Sequence, residues 1–139
     1  MKQLTTCVQS FIDVVKRFPE FKYAGEPSLR EVSAKVSVEE GVHLAKKLGK
    51  LLIAYRTHVG YGRGLAAPQI GESKAVFVTY VDEKVQTFIN PSIIQRSEKT
   101  NFYRELCLSA GILAADVERS EWIILEWTDE QGIKRNEKF

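Results

Sequence analysis

The sequence predicts an α+β fold in which helices come first and mostly antiparallel strands follow. Three observations support this prediction. Apolar residues recur at helical spacing in the first 58 residues, Ser37 and Glu40 form a capping-box pattern, and short β-branched runs separated by turn residues follow from residue 74 onward. The chain of 139 residues has the length of one domain with a real hydrophobic core.

Two helices are expected, one over residues 6–18 and a longer one that begins after Ser37 and ends near His58. Between them, Gly25 and Pro27 mark a turn. We therefore expect an N-terminal helical extension over residues 1–22 and a main domain over residues 23–139.

The strands are expected where β-branched and aromatic residues cluster. Asn90-Pro91 predicts a change of direction, and Gln131-Gly132 predicts a hairpin turn into a short return strand at 133–135. The other expected strands are 74–81, 85–89, 92–96, 101–108 and 121–128.

Composition excludes several classes of protein. The chain is 44% hydrophobic and 27% charged, which argues against disorder. Its net charge of +2 is spread over interspersed acidic and basic residues, so nucleic acid is not an expected partner. Its apolar runs are too short to span a bilayer. Two cysteines a hundred residues apart and the lack of a visible secretory signal predict a cytoplasmic protein.

Residues 62–71, GRGLAAPQIG, form a dense run of small side chains around one amide, Gln69. Small side chains let backbone N–H groups approach a ligand, and a carboxamide can donate a hydrogen bond to a developing oxyanion. The run is neither a dinucleotide fingerprint nor a P-loop. A tight connection between helix and sheet is the alternative interpretation.

Residues 105–109, ELCLS, place a cysteine beside a carboxylate at the end of an expected strand. Such a thiol can be a metal ligand or a nucleophile. The alternative is that Cys107 is a small buried hydrophobic residue. Thiol chemistry with Glu105 is a weaker idea, because no histidine is placed to activate the thiol.

Taken together, the two segments resemble the peptide deformylases. Gly62, Gly64, Ala66, Ala67 and Gln69 match the family's G-x-G-x-A-A-x-Q loop, and Glu105, Cys107, Leu108 and Ser109 match its E-G-C-L-S motif. Ile89-Asn90-Pro91 and Pro27-x-Leu29-Arg30 stand where the family has similar residues. The resemblance covers residues 23–135.

The resemblance implies a deformylase-like fold and metal-dependent hydrolysis of the formyl group from an N-formylmethionyl peptide or nascent chain. Cys107 would be a ligand of a divalent metal, commonly Fe2+, with Zn2+ or Ni2+ as other candidates. Gln69 and the backbone N–H of Leu108 would stabilise the oxyanion, and Glu105 would steady the loop. The implied substrate contacts are Gly62, Gly64, Leu65 and Leu106.

The family's third motif, an H-E-x-x-H helix that supplies two more ligands and the general base, is not found in the 139 residues. The two histidines, His43 and His58, lie on one predicted helix about 22 Å apart, so they cannot share a metal. Leu106 also replaces the family's glycine. We therefore expect a truncated fold without the C-terminal catalytic helix, with doubtful metal occupancy and impaired or lost hydrolysis. The alternative is an inactive peptide-binding or regulatory protein.

The missing helix also predicts an exposed apolar face around Val76, Val78, Ile89 and Trp122. A homo-oligomer would cover that face. Residues 3–18, folded back over the sheet, are the alternative cover.

Overall fold

A computed structural model describes residues 2–139, with side chains from residue 9 onward. The helices are α1 (Lys2–Arg17) and α2 (Val38–Val59). The strands are β1 (Gly64–Ala66), β2 (Val76–Val81), β3 (Lys84–Arg96), β4 (Thr100–Leu106), β5 (Ala114–Ser120), β6 (Ile123–Thr128) and β7 (Lys134–Lys138). Short 3-10 turns lie at Pro27–Leu29, Ala67–Ile70 and Leu108–Ala110. The predicted α+β class is confirmed.

The strands form two antiparallel sheets. The larger one has five strands in the order β1-β2-β3-β6-β7, and β4 and β5 form a separate hairpin. Every pairing between these strands is antiparallel. The hairpin between β6 and β7 turns at Gln131-Gly132 as the sequence predicts, whereas the short strand β1 lies inside the glycine run and was not predicted.

α2 begins at the predicted cap, because the Ser37 hydroxyl accepts a hydrogen bond from the Glu40 backbone N–H at 3.2 Å. Gly41, in its first turn, lies directly against Ile89 of β3. A Cβ atom at residue 41 would be only 2.6 Å from the Ile89 side chain. The glycine therefore lets the helix lie close to the sheet.

The main core lies between α2 and the larger sheet. Leu48 and Leu52 are almost fully buried there, as are Val76 and Val78. Ile89 is also fully buried, against α2. The expectation that Val76, Val78 and Ile89 are exposed is therefore wrong, because α2 itself covers this face.

Trp122, the fourth residue of the expected apolar face, is half-buried. The Lys138 ammonium lies 4.4 Å from the centre of its ring. Self-association stays a prediction, but it would need another surface. α1 adds Val14 and Phe18 to the main core.

β3 differs from the prediction because it is one long strand and not two. It continues through Asn90-Pro91, where Asn90 takes a left-handed φ of 52°. The Asn90 side chain accepts a hydrogen bond from Val36 N–H and donates one to Val36 O, both at 2.9 Å. The pairing with β6 shifts register between Ile89 and Ser92. A partner 54 residues away thus lets the strand bend instead of ending.

In the part of the chain that the structure describes, no helix combines the length and apolar character needed to cross a membrane.

Candidate active site

The glycine run and the cysteine loop face each other across a cavity of about 210 Å³. Residues 61–65 form one side, and residues 106–108 with Gly111 form the other. Phe21, Leu52 and Tyr55 complete the lining from the main core. The fold thus joins the two segments that the sequence singled out.

The glycine side of the cavity is part of an edge strand. β1 pairs with β2 through Gly64 and Thr79, Leu65 and Val78, and Ala66 and Phe77. It is the terminal strand of the larger sheet, so its other edge can pair with an extended peptide.

Two glycines let the backbone of this wall lie close to neighbouring parts of the protein. Gly62 has a positive φ of 125°, and its carbonyl accepts a hydrogen bond from the Arg56 guanidinium. A Cβ atom at Gly64 would be 3.2 Å from the Val78 carbonyl oxygen. Leu65 is 3% exposed and belongs to the main core. The wall therefore offers backbone groups on a strand that a buried leucine fixes in place.

Gln69 connects the two walls. Its Oε1 accepts a hydrogen bond from the Ala66 backbone N–H at 2.9 Å, and its Nε2 donates to Ser109 Oγ at 3.3 Å. Nε2 also lies 4.0 Å from Cys107 Sγ. The amide oxygen is thus held by the glycine wall, while the amide N–H groups face the cysteine loop.

The cysteine loop directly follows β4. Cys107 is exposed, so it is not the buried hydrophobic residue of the alternative interpretation. Its carbonyl accepts a hydrogen bond from Ala110 N–H at 2.9 Å, which closes a short turn. Leu106 is 65% exposed at the mouth of the cavity, and Leu108 packs half-buried against the core. The thiol is accessible to a ligand.

Glu105 points across the hairpin and not toward the cysteine thiol. Its two carboxylate oxygens accept hydrogen bonds from the Arg119 guanidinium at 2.9 and 2.8 Å. Hydrogen bonding to the Arg119 side chain, together with its positive charge, holds the pKa of Glu105 below its ordinary value. Glu105 therefore links β4 to β5, and its role in steadying the loop stays a prediction.

Three contributors to the site were not assigned roles from the sequence. Ser109 is buried and accepts the Gln69 hydrogen bond. Tyr55 and Tyr61 line the cavity with ring centres 6.1 Å apart. Burial, and then the hydrogen bond to Tyr61, raise the pKa of Tyr55. Helical spacing identified Tyr55 only as a core residue. For Tyr61, the sequence signal that could have indicated a role in the site was its position between Gly60 and Gly62.

The residues around Cys107 do not fit a complete divalent-metal site. His58 Nε2 lies 2.6 Å from Asp13 Oδ2, and His43 lies on a surface groove with Glu130. Within residues that the structure describes, no three His, Cys, Asp or Glu side chains cluster as ligands. A hydrolytic zinc site uses three protein ligands, whereas the site around Cys107 offers one cysteine sulfur beside an amide and a hydroxyl.

Comparison with known proteins identifies a family for this chain. A family model described as polypeptide deformylase matches residues 19–139. A peptide deformylase of Pseudothermotoga lettingae is 38% identical over 122 residues, which cover 86% of this chain and 68% of the relative. A peptide deformylase of Treponema pallidum (strain Nichols) is 38% identical over 113 residues, covering 81% of this chain and 68% of the relative.

Two solved structures show the same architecture. The peptide deformylase from Thermotoga maritima has a TM-score of 0.74 and 31% identity, covering 86% of this chain and 79% of that one. A probable peptide deformylase from Synechococcus phage S-SSM7 has a TM-score of 0.76 and 28% identity, covering 86% and 82%. The deformylase-like fold expected from the sequence is confirmed.

Proposed function

The chain belongs to the peptide deformylase family, and from that premise we propose that its cavity binds the N-formylmethionyl end of peptides or nascent chains. We further propose that these 139 residues do not hydrolyse the formyl group above the background rate. The observation that supports binding is the Gln69 amide, whose N–H groups face Cys107 beside an edge strand. A cytoplasmic location belongs to the same proposal, since nascent chains are the proposed ligands.

Binding uses groups that the fold already holds in position. An extended peptide pairs with the free edge of β1, which fixes its direction. The formyl oxygen accepts a hydrogen bond from Gln69 Nε2 and from the backbone N–H of Leu108. The methionine side chain enters the cavity between Leu65 and Leu106, where Phe21, Leu52 and Leu108 supply apolar lining. Because Gln69 Oε1 is already occupied by Ala66, the amide keeps its orientation without the peptide.

The expected lack of hydrolysis follows from the ligand set. The family implies a divalent metal, with Fe2+, Zn2+ or Ni2+ as the candidates, and Cys107 would be one ligand. The described residues near Cys107 do not add two more. Gln69 places N–H donors toward the sulfur, and amide N–H groups are not ligands.

Calorimetry with formyl-Met-Ala-Ser and unformylated Met-Ala-Ser tests binding. We expect the formylated peptide to bind at least about tenfold more tightly, which corresponds to about 1.4 kcal/mol. The matched variant is Gln69→Glu, which keeps the oxygen that accepts from Ala66 but replaces the donor with an acceptor. It should abolish the preference. Equal affinity for both peptides in the wild-type protein would refute the proposal.

A formate-release assay tests the proposal about hydrolysis. We expect formate release at the background rate with Fe2+, Zn2+ or Ni2+ added, and no change in Cys107→Ala. Turnover that disappears in Cys107→Ala would contradict this part and would mean that other residues complete the metal site. Binding without turnover would favour the alternative of an inactive peptide-binding protein.

A further inference from the structure

α1 packs against the cysteine loop from a part of the chain outside the family match. The match begins at residue 19, whereas α1 ends at Arg17. The helix is held on the main domain, because Asp13 Oδ2 lies 2.6 Å from His58 Nε2 of α2 and Val14 is buried in the main core. From this fixed position, the Phe11 side chain reaches the loop that carries the cysteine.

The Phe11 ring supports Gly111 at the end of the cysteine loop. A Cβ atom at residue 111 would lie 3.1 Å from two atoms of this ring, and the three nearest atoms outside the adjacent residues all belong to Phe11. Gly111 also takes a positive φ of 68°. The glycine therefore lets the loop backbone lie directly on the ring, where a larger residue would keep the two apart.

Gly111 and Cys107 are the two ends of one short turn. Gly111 N–H donates a hydrogen bond to Leu108 O at 3.1 Å, and Ala110 N–H donates one to Cys107 O at 2.9 Å. These bonds make the turn a compact unit, so a shift of Gly111 moves Cys107 as well. The position of the thiol relative to Gln69 therefore depends on the surface that supports Gly111.

Phe11 also contacts the segment that anchors this turn to the main domain. Its ring packs edge-on against Tyr23, with ring centres 5.2 Å apart. The next residue, Ala24, donates its N–H to Ser109 O at 2.8 Å. One side chain of α1 therefore contacts both segments that this hydrogen bond joins. Because β4 and β5 are mostly exposed, the hairpin itself restrains the turn only weakly.

We propose that Phe11 is a positioning residue, which acts through Gly111 to hold the cysteine turn against Gln69. The inference rests on the proposed binding of formylmethionyl peptides, in which Gln69 Nε2 and the Leu108 N–H donate to one formyl oxygen. Gln69 Nε2 lies 4.0 Å from Cys107 Sγ while the ring supports the turn. Without the ring, the turn can move away from the glycine wall, and the two donors separate. Phe11 does not line the cavity, so it acts on the peptide through the turn.

The preference for formyl-Met-Ala-Ser over Met-Ala-Ser, measured by calorimetry, tests this inference. We expect Phe11→Ala to reduce the preference from about tenfold to about threefold or less, because one of the two donors is displaced. Phe11→Leu, which keeps an apolar side chain against Gly111, should retain most of the preference. The matched control is Val14→Ala, which removes buried surface from the same helix. It should lower stability in urea but leave the preference at about tenfold.

The alkylation rate of Cys107 by iodoacetamide gives a second readout, which needs no peptide. Mass spectrometry of tryptic fragments separates Cys107 from Cys7, the other cysteine of the chain. We expect alkylation of Cys107 to be about threefold faster in Phe11→Ala than in the wild type, because the turn opens more often. Val14→Ala should leave the rate unchanged.

A double-mutant cycle separates the ring contact from strain in the loop. Gly111→Ala places a Cβ against the Phe11 ring and also strains a backbone with positive φ. The strain is present in both backgrounds, so it cancels in the cycle. Gly111→Ala should therefore accelerate alkylation more in the wild type than in Phe11→Ala. Equal acceleration in the two backgrounds would show that the ring does not hold the turn.

The outcomes separate this inference from the function on which it rests. If the wild type prefers the formylated peptide and Phe11→Ala keeps both that preference and the wild-type alkylation rate, the positioning role is refuted while the proposed function stands. If Val14→Ala loses the preference as Phe11→Ala does, the effect is general destabilisation and the inference is again refuted. If the wild type shows no preference, the proposed function fails, and the alkylation cycle alone decides whether Phe11 holds the turn.

Discussion

The two walls of the cavity are stabilised in different ways. The glycine wall belongs to the larger sheet, where Val78 is fully buried in the same core as Leu48 of α2. The cysteine wall ends the β4–β5 hairpin, where Phe102 is 72% exposed and cross-strand ion pairs replace a core. Arg104 Nη1 lies 2.9 Å from Asp116 Oδ1, and Arg119 Nη2 lies 2.8 Å from Glu105 Oε2.

This difference predicts which wall is easier to displace. Exposed ion pairs contribute little, whereas buried apolar side chains contribute most of the stability. The cysteine wall therefore depends on the packing of Leu108 and on a few hydrogen bonds to the rest of the protein. Ala24 N–H donates to Ser109 O at 2.8 Å, and Gln69 Nε2 donates to Ser109 Oγ. Substitutions in the two regions should have very different effects.

The largest expected effect is in the main core. Leu48→Ala removes a fully buried side chain between α2 and the sheet, and it should lower the free energy of unfolding by about 2–5 kcal/mol. Phe102→Ala, a larger truncation on the exposed hairpin, should change it by less than about 0.5 kcal/mol. Urea denaturation measures both. Similar losses in the two variants would contradict the comparison.

The next effect tests the close approach of α2 to the sheet. Gly41→Ala would place a Cβ 2.6 Å from Ile89 and should destabilise the fold by about 1–3 kcal/mol. Gly49, in the same helix, has more room, because a Cβ there would lie 3.3 Å from Val85. Gly49→Ala should be neutral or stabilising by up to about 1 kcal/mol, because alanine favours helix. Thermal denaturation in parallel distinguishes the pair, and equal effects would argue against tight packing at Gly41.

Ser109→Ala weakens the link between the two walls. It removes the acceptor for Gln69 Nε2 and should cost about 1 kcal/mol. Because the loop is then less restrained, the Cys107 thiol should react faster with iodoacetamide than in the wild type. Ser92→Ala, an exposed substitution in β3, is the control for both measurements. An unchanged alkylation rate would show that the hydrogen bond does not restrain the loop.

The smallest effect concerns the hairpin ion pair and its pH dependence. The Arg119 guanidinium holds the pKa of Glu105 below its ordinary value of 4.5. The charged form is therefore favoured in the fold. Its stabilisation is present above pH 4.5 and is lost as the pH falls through the lowered pKa. Amide hydrogen exchange in β4 and β5 should accelerate in that range.

Glu105→Gln is the control for this pH effect. It should remove this part of the pH dependence and leave exchange in the larger sheet unchanged. The difference should be small, because both side chains are substantially exposed. A pH dependence in the hairpin that persists in Glu105→Gln would assign it to another group.

Much of the fold could be predicted because its signals are local. The start of α2 depends on Ser37 and Glu40, which are three residues apart. The β6–β7 hairpin depends on a turn at Gln131-Gly132 between two short strands. The two motif segments were recognised as residues of one site, and the structure places both around one cavity.

The predictions of strand limits and of burial were wrong where contacts with residues distant in the sequence determine the structure. The Asn90-Pro91 pair predicts the end of a strand. In the structure, the Asn90 side chain forms hydrogen bonds with the Val36 backbone, and β3 continues. Ile89 and Val76 were expected at an exposed face, yet both are buried. The spacing of glycines in α2 gave no sign that Gly41 would lie against Ile89.

Sequence patterns alone predict the class of fold, the limits of α2, most of the strands and the motifs that identify the family. Periodicity, capping and turn residues act within a few positions, so they can be read from a short window. The three-dimensional fold was needed to establish which residues are buried, that Gln69 lies beside Cys107, and that Phe11 of α1 packs against Gly111 of the cysteine loop. These features depend on contacts between residues that are far apart in the chain, and no local pattern specifies which distant residues meet.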